Sequence, residues 1–140
     1  MSKVAVVYWS GTGNTEAMAE AVAEGAKEKG AEVSTFTPDD FEAGKMDEFD
    51  AVAFGCPAMG DEVLEETIFE PMFDACKEKL KGKRIALFGS YGWGDGEWMR
   101  NWEESCKSEG AVLACGSVTC ADAPDDEASA ACRELGAALA

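Results

Sequence analysis

Histidine is absent from this chain, and lysine and arginine together number only 12 against 28 aspartates and glutamates. The first absence removes the commonest general base at neutral pH and the commonest metal ligand. The second leaves a formal net charge of −16, which repels the phosphates of nucleic acids and of anionic membranes. Long apolar runs are also missing: none approaches the roughly 20 residues that cross a bilayer. The first apolar run is short and meets glycines at once, so it does not read as a signal peptide. The six cysteines include no C-x-x-C pair, and with no histidine the usual zinc spacings and most iron–sulfur spacings fail. Cys56, Cys76, Cys106, Cys115, Cys120 and Cys132 are therefore expected as free thiols, mostly buried. These absences leave a soluble, cytoplasmic protein as the expectation, with residues 1–140 forming one domain around one core. The acidity suits a basic protein partner, and equally suits solubility alone.

What is present is an alternation of strand and helix patterns. Strands are predicted near Lys3–Trp9, Glu32–Thr37, Ala51–Cys56, Arg84–Ser90 and Val112–Thr119. The first, third and fourth are almost continuously apolar, as parallel strands covered on both faces must be. A helical face of Ala17, Met18, Ala21, Val22, Gly25 and Ala26 follows the first strand and ends at Gly30. Later helices are predicted from about Phe69 to Leu80, around Met99, Trp102 and Cys106, and around Ala128, Cys132, Leu135 and Leu139 after Pro124 and Asp125. Five strands with intervening helices make an α/β three-layer sandwich; with right-handed crossovers two strand orders compete, and the one that uses five strands, a five-stranded parallel sheet of order 2-1-3-4-5, places a ligand at the switch between strands one and three. Pro38-Asp39-Asp40 and Asp47-Glu48 read as solvated connections.

In such a sheet a ligand sits beyond the carboxyl ends of the strands. Three stretches there carry chemistry. Ser10-Gly11-Thr12-Gly13-Asn14-Thr15 links the first strand to the first helix, a geometry that points N–H groups at an anion. No lysine or arginine lies in or beside it, so a phosphate would be held by hydroxyls, amides and a helix N-terminus. Cys56-Pro57-Ala58-Met59-Gly60-Asp61-Glu62 follows the third strand, and Ser90-Tyr91-Gly92-Trp93-Gly94-Asp95-Gly96 the fourth. A thioether at Met59 and an indole at Trp93 would flank a flat ring, each contact worth about 0.3–1.5 kcal/mol. A flat ring joined to one phosphate monoester describes a mononucleotide or flavin mononucleotide. Competing motifs fail on single residues. Walker A needs Gly-Lys-Ser/Thr; the dinucleotide fingerprint needs glycine where Glu16 stands; a phosphatase loop needs Cys and Arg; a receiver domain needs Asp where Gly55-Cys56 ends the strand.

With these three stretches in order, the chain resembles the flavodoxins, FMN-containing electron carriers, over essentially its whole length. It lacks the extra loop of about twenty residues in the last strand region, so the resemblance is to short-chain members. The resemblance implies a phosphate loop of Ser10, Thr12, Asn14 and Thr15 with the Gly11 and Gly13 backbone. It implies Met59 on the inner flavin face and Trp93 on the outer. Gly60 matches the residue whose peptide turns on one-electron reduction, so that its carbonyl accepts the N5–H. Asp61 and Glu62 match positions on the pyrimidine edge, with Glu62 the carboxylate on N3–H. Gly92 and the Trp93 backbone match donors near O2, with Gly94 beside them, and Ser90 and Tyr91 line the ribityl region. Pro57 stands before Ala58 where some relatives carry a hydroxyl residue, which removes one hydrogen bond. The implied function is transfer of single electrons on non-covalent FMN, without catalysis, between basic redox proteins such as reductases and terminal acceptors, by a monomer. The alternatives are a flavodoxin-like FMN-dependent quinone reductase, which needs a substrate slot where Trp93 would stand, and a nucleotide- or phosphate-sensing module, which would carry no flavin.

Overall fold

Alternating residues of the first strand go to opposite sides of the sheet, and this dictates the layering. A computed structural model of the chain describes residues 2–11, 13–58, 64–92 and 96–140. Strand β1 (Lys3–Tyr8) pairs in parallel with β2 (Glu32–Phe36) on one side and β3 (Ala51–Gly55) on the other. Strand β4 (Arg84–Tyr91) lies beyond β3 and β5 (Val112–Leu113) beyond β4, giving the order β2-β1-β3-β4-β5. Ala5, Val7, Val52, Phe54, Ile85 and Leu87 face helices α2 (Phe69–Cys76) and α3 (Glu97–Ser108). Val4, Val6, Ala51, Ala53, Ala86 and Phe88 face α1 (Asn14–Glu28) and α4 (Asp126–Leu139). The period of two thus feeds two apolar layers from the same strands.

The layers differ in texture. The α2/α3 side is aromatic: Phe54 meets Phe73 edge-on at 5.1 Å, and Trp102 meets Phe69 at 5.4 Å. The α1/α4 side is made of small residues, and the two helices touch backbone to backbone. A Cβ on Gly25 would lie 2.0 Å from the Arg133 carbonyl oxygen, and one on Gly136 would lie 1.9 Å from that of Val22.

The expected order 2-1-3-4-5 is the observed one, but the fifth strand is interrupted. Its first part, β5 (Val112–Leu113), and its second, β6 (Val118–Ala121), both pair in parallel with β4. Leu113 stands opposite Ile85 and Val118 opposite Phe88, so the edge chain takes five steps where β4 takes three. The surplus residues leave the ladder as a bulge, which an edge strand tolerates. The helix predicted to Leu80 ends at Cys76 and continues only as a 3₁₀ turn, Lys77–Lys79. The acidic connections are likewise short 3₁₀ turns, Pro38–Asp40 and Ala43–Glu48, with Asp47 paired to Lys79 at 2.9 Å.

Candidate functional site

The carboxyl ends of β1, β3 and β4 bring the three sequence stretches side by side. At the first, Ser10 folds back on its own loop: its Oγ accepts from the amides of Gly13 (3.1 Å) and Glu16 (3.2 Å). Gly13 takes φ +93° at the helix N-cap, a conformation that side chains rarely adopt. The Asn14 and Thr15 amides open α1, the end of a helix where amides lack intrahelical acceptors, and the helix dipole adds partial positive charge there. Thr15 is buried, and its hydroxyl shares a 3.1 Å hydrogen bond with that of Ser90 at the end of β4. This bond ties the first stretch to the third.

The second and third stretches are joined by backbone. Ala58 donates to the Ser90 carbonyl at 3.0 Å, and Cys56 to that of Phe88 at 3.1 Å. Tyr91 leans on Trp98 at 5.6 Å between ring centres, and the Asp122 amide donates to the Tyr91 carbonyl at 2.8 Å. Between them lies a cleft of about 340 Å³, lined by Gly11, Asn14, Pro57, Ala58, Ser90, Tyr91 and Gly92, with Trp9 and Asp122. That volume suits a small cofactor. A larger groove of about 440 Å³ beside α1 carries Glu20, Glu24 and Lys27 and no helix N-terminus, so it offers no comparable anion cradle.

Seven predicted site residues — Thr12, Met59, Gly60, Asp61, Glu62, Trp93 and Gly94 — lie outside the described residues. The others, Ser10, Gly11, Gly13, Asn14, Thr15, Pro57, Ala58, Ser90, Tyr91 and Gly92, come together around or beside the cleft. Two lining residues escaped the sequence reading. Trp9 is the last residue before the phosphate loop, and Asp122 follows the fifth strand just before Pro124. The strand-end position of both was the available signal.

Asp122 brings negative charge to the described lining of the cleft. Burial raises the Tyr8 phenol, and the neighbouring Glu16, which accepts from it at 3.4 Å, raises it further. Burial pushes the Cys56 thiol up to about 12. Glu65 is almost fully buried; burial alone would raise its carboxyl, but hydrogen bonds from the Thr67 hydroxyl and the Phe69, Ile68 and Thr67 amides outweigh it and lower it. Among the described residues no group of His, Cys, Asp or Glu could hold a metal ion.

The donor set fits an FMN phosphate. Hydroxyls, amides and a helix N-terminus line it, and the cleft's described lining includes no lysine or arginine. The comparisons agree. The flavodoxin family profile matches residues 6–136. A flavodoxin of Clostridium beijerinckii is 47% identical over 135 residues, covering 96% of this chain and 97% of that one. A flavodoxin of Megasphaera elsdenii is 44% identical over 137 residues, covering 98% of each. The solution structure of that Megasphaera elsdenii flavodoxin in its two-electron reduced form superposes with a TM-score of 0.90 at 44% identity, covering 97% of both chains.

Proposed function

The chain belongs to the flavodoxin family, and from that premise we propose how its own residues hold FMN and meet redox partners. It is an FMN-carrying electron-transfer protein of short-chain type, not an enzyme. FMN supplies a ring that accepts and releases one electron at a time. We assign the phosphate to Ser10, Gly11, Thr12, Gly13, Asn14 and Thr15. The ring and its pyrimidine edge go to Pro57, Ala58, Met59, Gly60, Asp61 and Glu62 on one side and to Ser90, Tyr91, Gly92, Trp93 and Gly94 on the other.

The observation that carries this assignment is the Thr15–Ser90 hydroxyl pair beside the open end of α1. Two hydroxyls buried at the foot of a phosphate loop orient one another, so at least one is poised to donate outward. Met59 and Trp93 would exclude water from the two ring faces. The Gly60 carbonyl would accept the N5 proton, because glycine lacks the Cβ that costs about 1–2 kcal/mol in left-handed backbone. The carboxylates around the cleft would disfavour a second negative charge, since a charge about 10 Å away at an effective dielectric of 20 is worth roughly 1–2 kcal/mol.

The chain's acidity supports partners that present basic surfaces, reductases and terminal acceptors alike, and disfavours nucleic acid and anionic membrane. No helix among the described residues is long and apolar enough to cross a membrane. Residues 1–140 act in this reading as one FMN-binding domain, monomeric and cytoplasmic. The quinone-reductase reading loses ground because relatives matched nearly end to end are flavodoxins. A stepwise reductive titration of the purified protein, followed by acid release of its flavin, tests the assignment. One FMN per chain and two separate one-electron steps are expected. Release of FAD, or no flavin after reconstitution, overturns it.

A further inference from the structure

Cys56 and Glu65 bracket residues 57–64, the connection from β3 towards α2 whose sequence includes Met59, Gly60, Asp61 and Glu62. Cys56 uses every polar atom it has. Its amide donates to the Phe88 carbonyl, and its carbonyl accepts from the Trp98 indole at 3.2 Å. Its thiol accepts from the Glu65 amide at 3.3 Å and donates to the Pro57 carbonyl at 3.5 Å. Gly89 makes room for this hub, since a Cβ there would lie 2.2 Å from the Cys56 oxygen.

Glu65 closes the other end. Its carboxylate accepts from the amides of Thr67 (2.9 Å), Ile68 (2.8 Å) and Phe69 (2.8 Å), and from the Thr67 hydroxyl. Its carbonyl accepts from the Glu70 amide at 2.9 Å. Ile68, at the N-cap of α2, gives no side-chain cap. One neutral acceptor at Ile68 would suffice to cap an eight-residue helix. A carboxylate on a residue only 5% exposed is a costlier device, satisfied here by four donors. Lying before the N-cap, it fixes the chain that enters the helix rather than the helix alone.

We propose that Glu65 is a positioning residue for the flavin: its amide on the Cys56 thiol ties the end of β3 to the entry of α2 and its carboxylate fixes that entry, a clasp by which the stretch carrying the ring-contacting residues starts and ends on anchored backbone. The inference rests on the FMN assignment above. Its consequence is that loosening the clasp weakens FMN binding and narrows the separation of the two one-electron potentials, without contact between Glu65 and the ring.

Two variants test it. Glu65→Gln removes the charge and keeps one acceptor oxygen. Thr67→Val removes one donor to the clasp and leaves every charge in place. For each, FMN affinity is measured by titrating apoprotein, both potentials by reductive titration, and apoprotein stability by thermal melting. Expected is an FMN dissociation constant raised about tenfold by Glu65→Gln and two- to threefold by Thr67→Val, with the potentials drawn together in both. Melting temperatures that fall while affinity and potentials stay at parental values would make Glu65 a helix cap only, and overturn the proposal. A potential shift in Glu65→Gln with none in Thr67→Val would assign the effect to charge, and also overturn it. If Glu65→Gln fails to fold, Thr67→Val decides alone. A parent that binds no FMN would instead defeat the cofactor assignment.

Discussion

Asp122 holds a backbone conformation of φ 56°, the one non-glycine residue with positive φ among those described. Asparagine and aspartate tolerate this region better than other side chains. Asp122→Asn therefore removes a carboxylate from the cleft wall without disturbing the turn. The second one-electron potential, where the ring gains negative charge, should rise by roughly 40–90 mV, the equivalent of a charge about 10 Å away at an effective dielectric of 20, while the first, whose electron arrives with a proton, should move little. Potentiometry at low salt measures this, and an unchanged second potential would place the charge too far away to matter. The thiols make a second test. Burial pushes Cys56, Cys106 and Cys132 up to about 12 and Cys76 up to about 11. Cys115 and Cys120 are raised by burial too, yet are partly exposed. A thiol reagent at pH 8 should modify only those two in the native protein, and slowly; mass spectrometry of the labelled peptides reads the outcome. Free thiols were legible from spacing, because the motifs that would have paired them are absent. Asp122 was not, because its place in the cleft depends on β6 lying beside Tyr91, a pairing between distant parts of the chain.

At the scale of elements, the α1–α4 contact is where a methyl group does most harm. Gly25→Ala gains up to about 1 kcal/mol of helix propensity. Against that, the new Cβ would press on a backbone oxygen that can move only if the whole helix moves. Overpacking costs about 1–3 kcal/mol even where side chains can yield, so net destabilisation of about 2 kcal/mol or more is expected. Chemical denaturation of apoprotein would show it as a lower midpoint. Gly25 was legible as a buried-face residue, but its partner Gly136 was not, because nothing local in α4 announces which helix lies across it. The strands were read well where apolar residues run unbroken and both faces are covered. Reading failed at the fifth strand, since Val112–Thr119 has suitable residues throughout. The interruption is a matter of register against β4, which no periodicity within the segment encodes. The Glu65 clasp was hidden for a related reason: the donors to its carboxylate are all local, but its amide meets the Cys56 thiol across nine residues.

For the molecule as a whole, the charge of −16 without histidine means that surface charge changes little around neutral pH. Encounter with a basic reductase should be fast at low salt and slow as the Debye length shrinks to about 8 Å at 0.15 M. Stopped-flow reduction across ionic strength measures it, and a rate flat in salt would leave the acidity with no part in association. The bulge between Leu113 and Val118 bears on a different property, the protein's capacity to accept foreign sequence. Gly116 is exposed, and open space surrounds it. The sheet has already given up its ladder there, so an inserted peptide would break no strand pairing, and each doubling of loop length costs only about 0.6 kcal/mol. A flexible twenty-residue graft after Gly116 should leave the protein folded and flavin-loaded, as melting and absorbance would report, whereas the same graft within β4 should abolish both. The interrupted edge is thus a ready port for splicing an electrode tether or a second redox module onto this carrier.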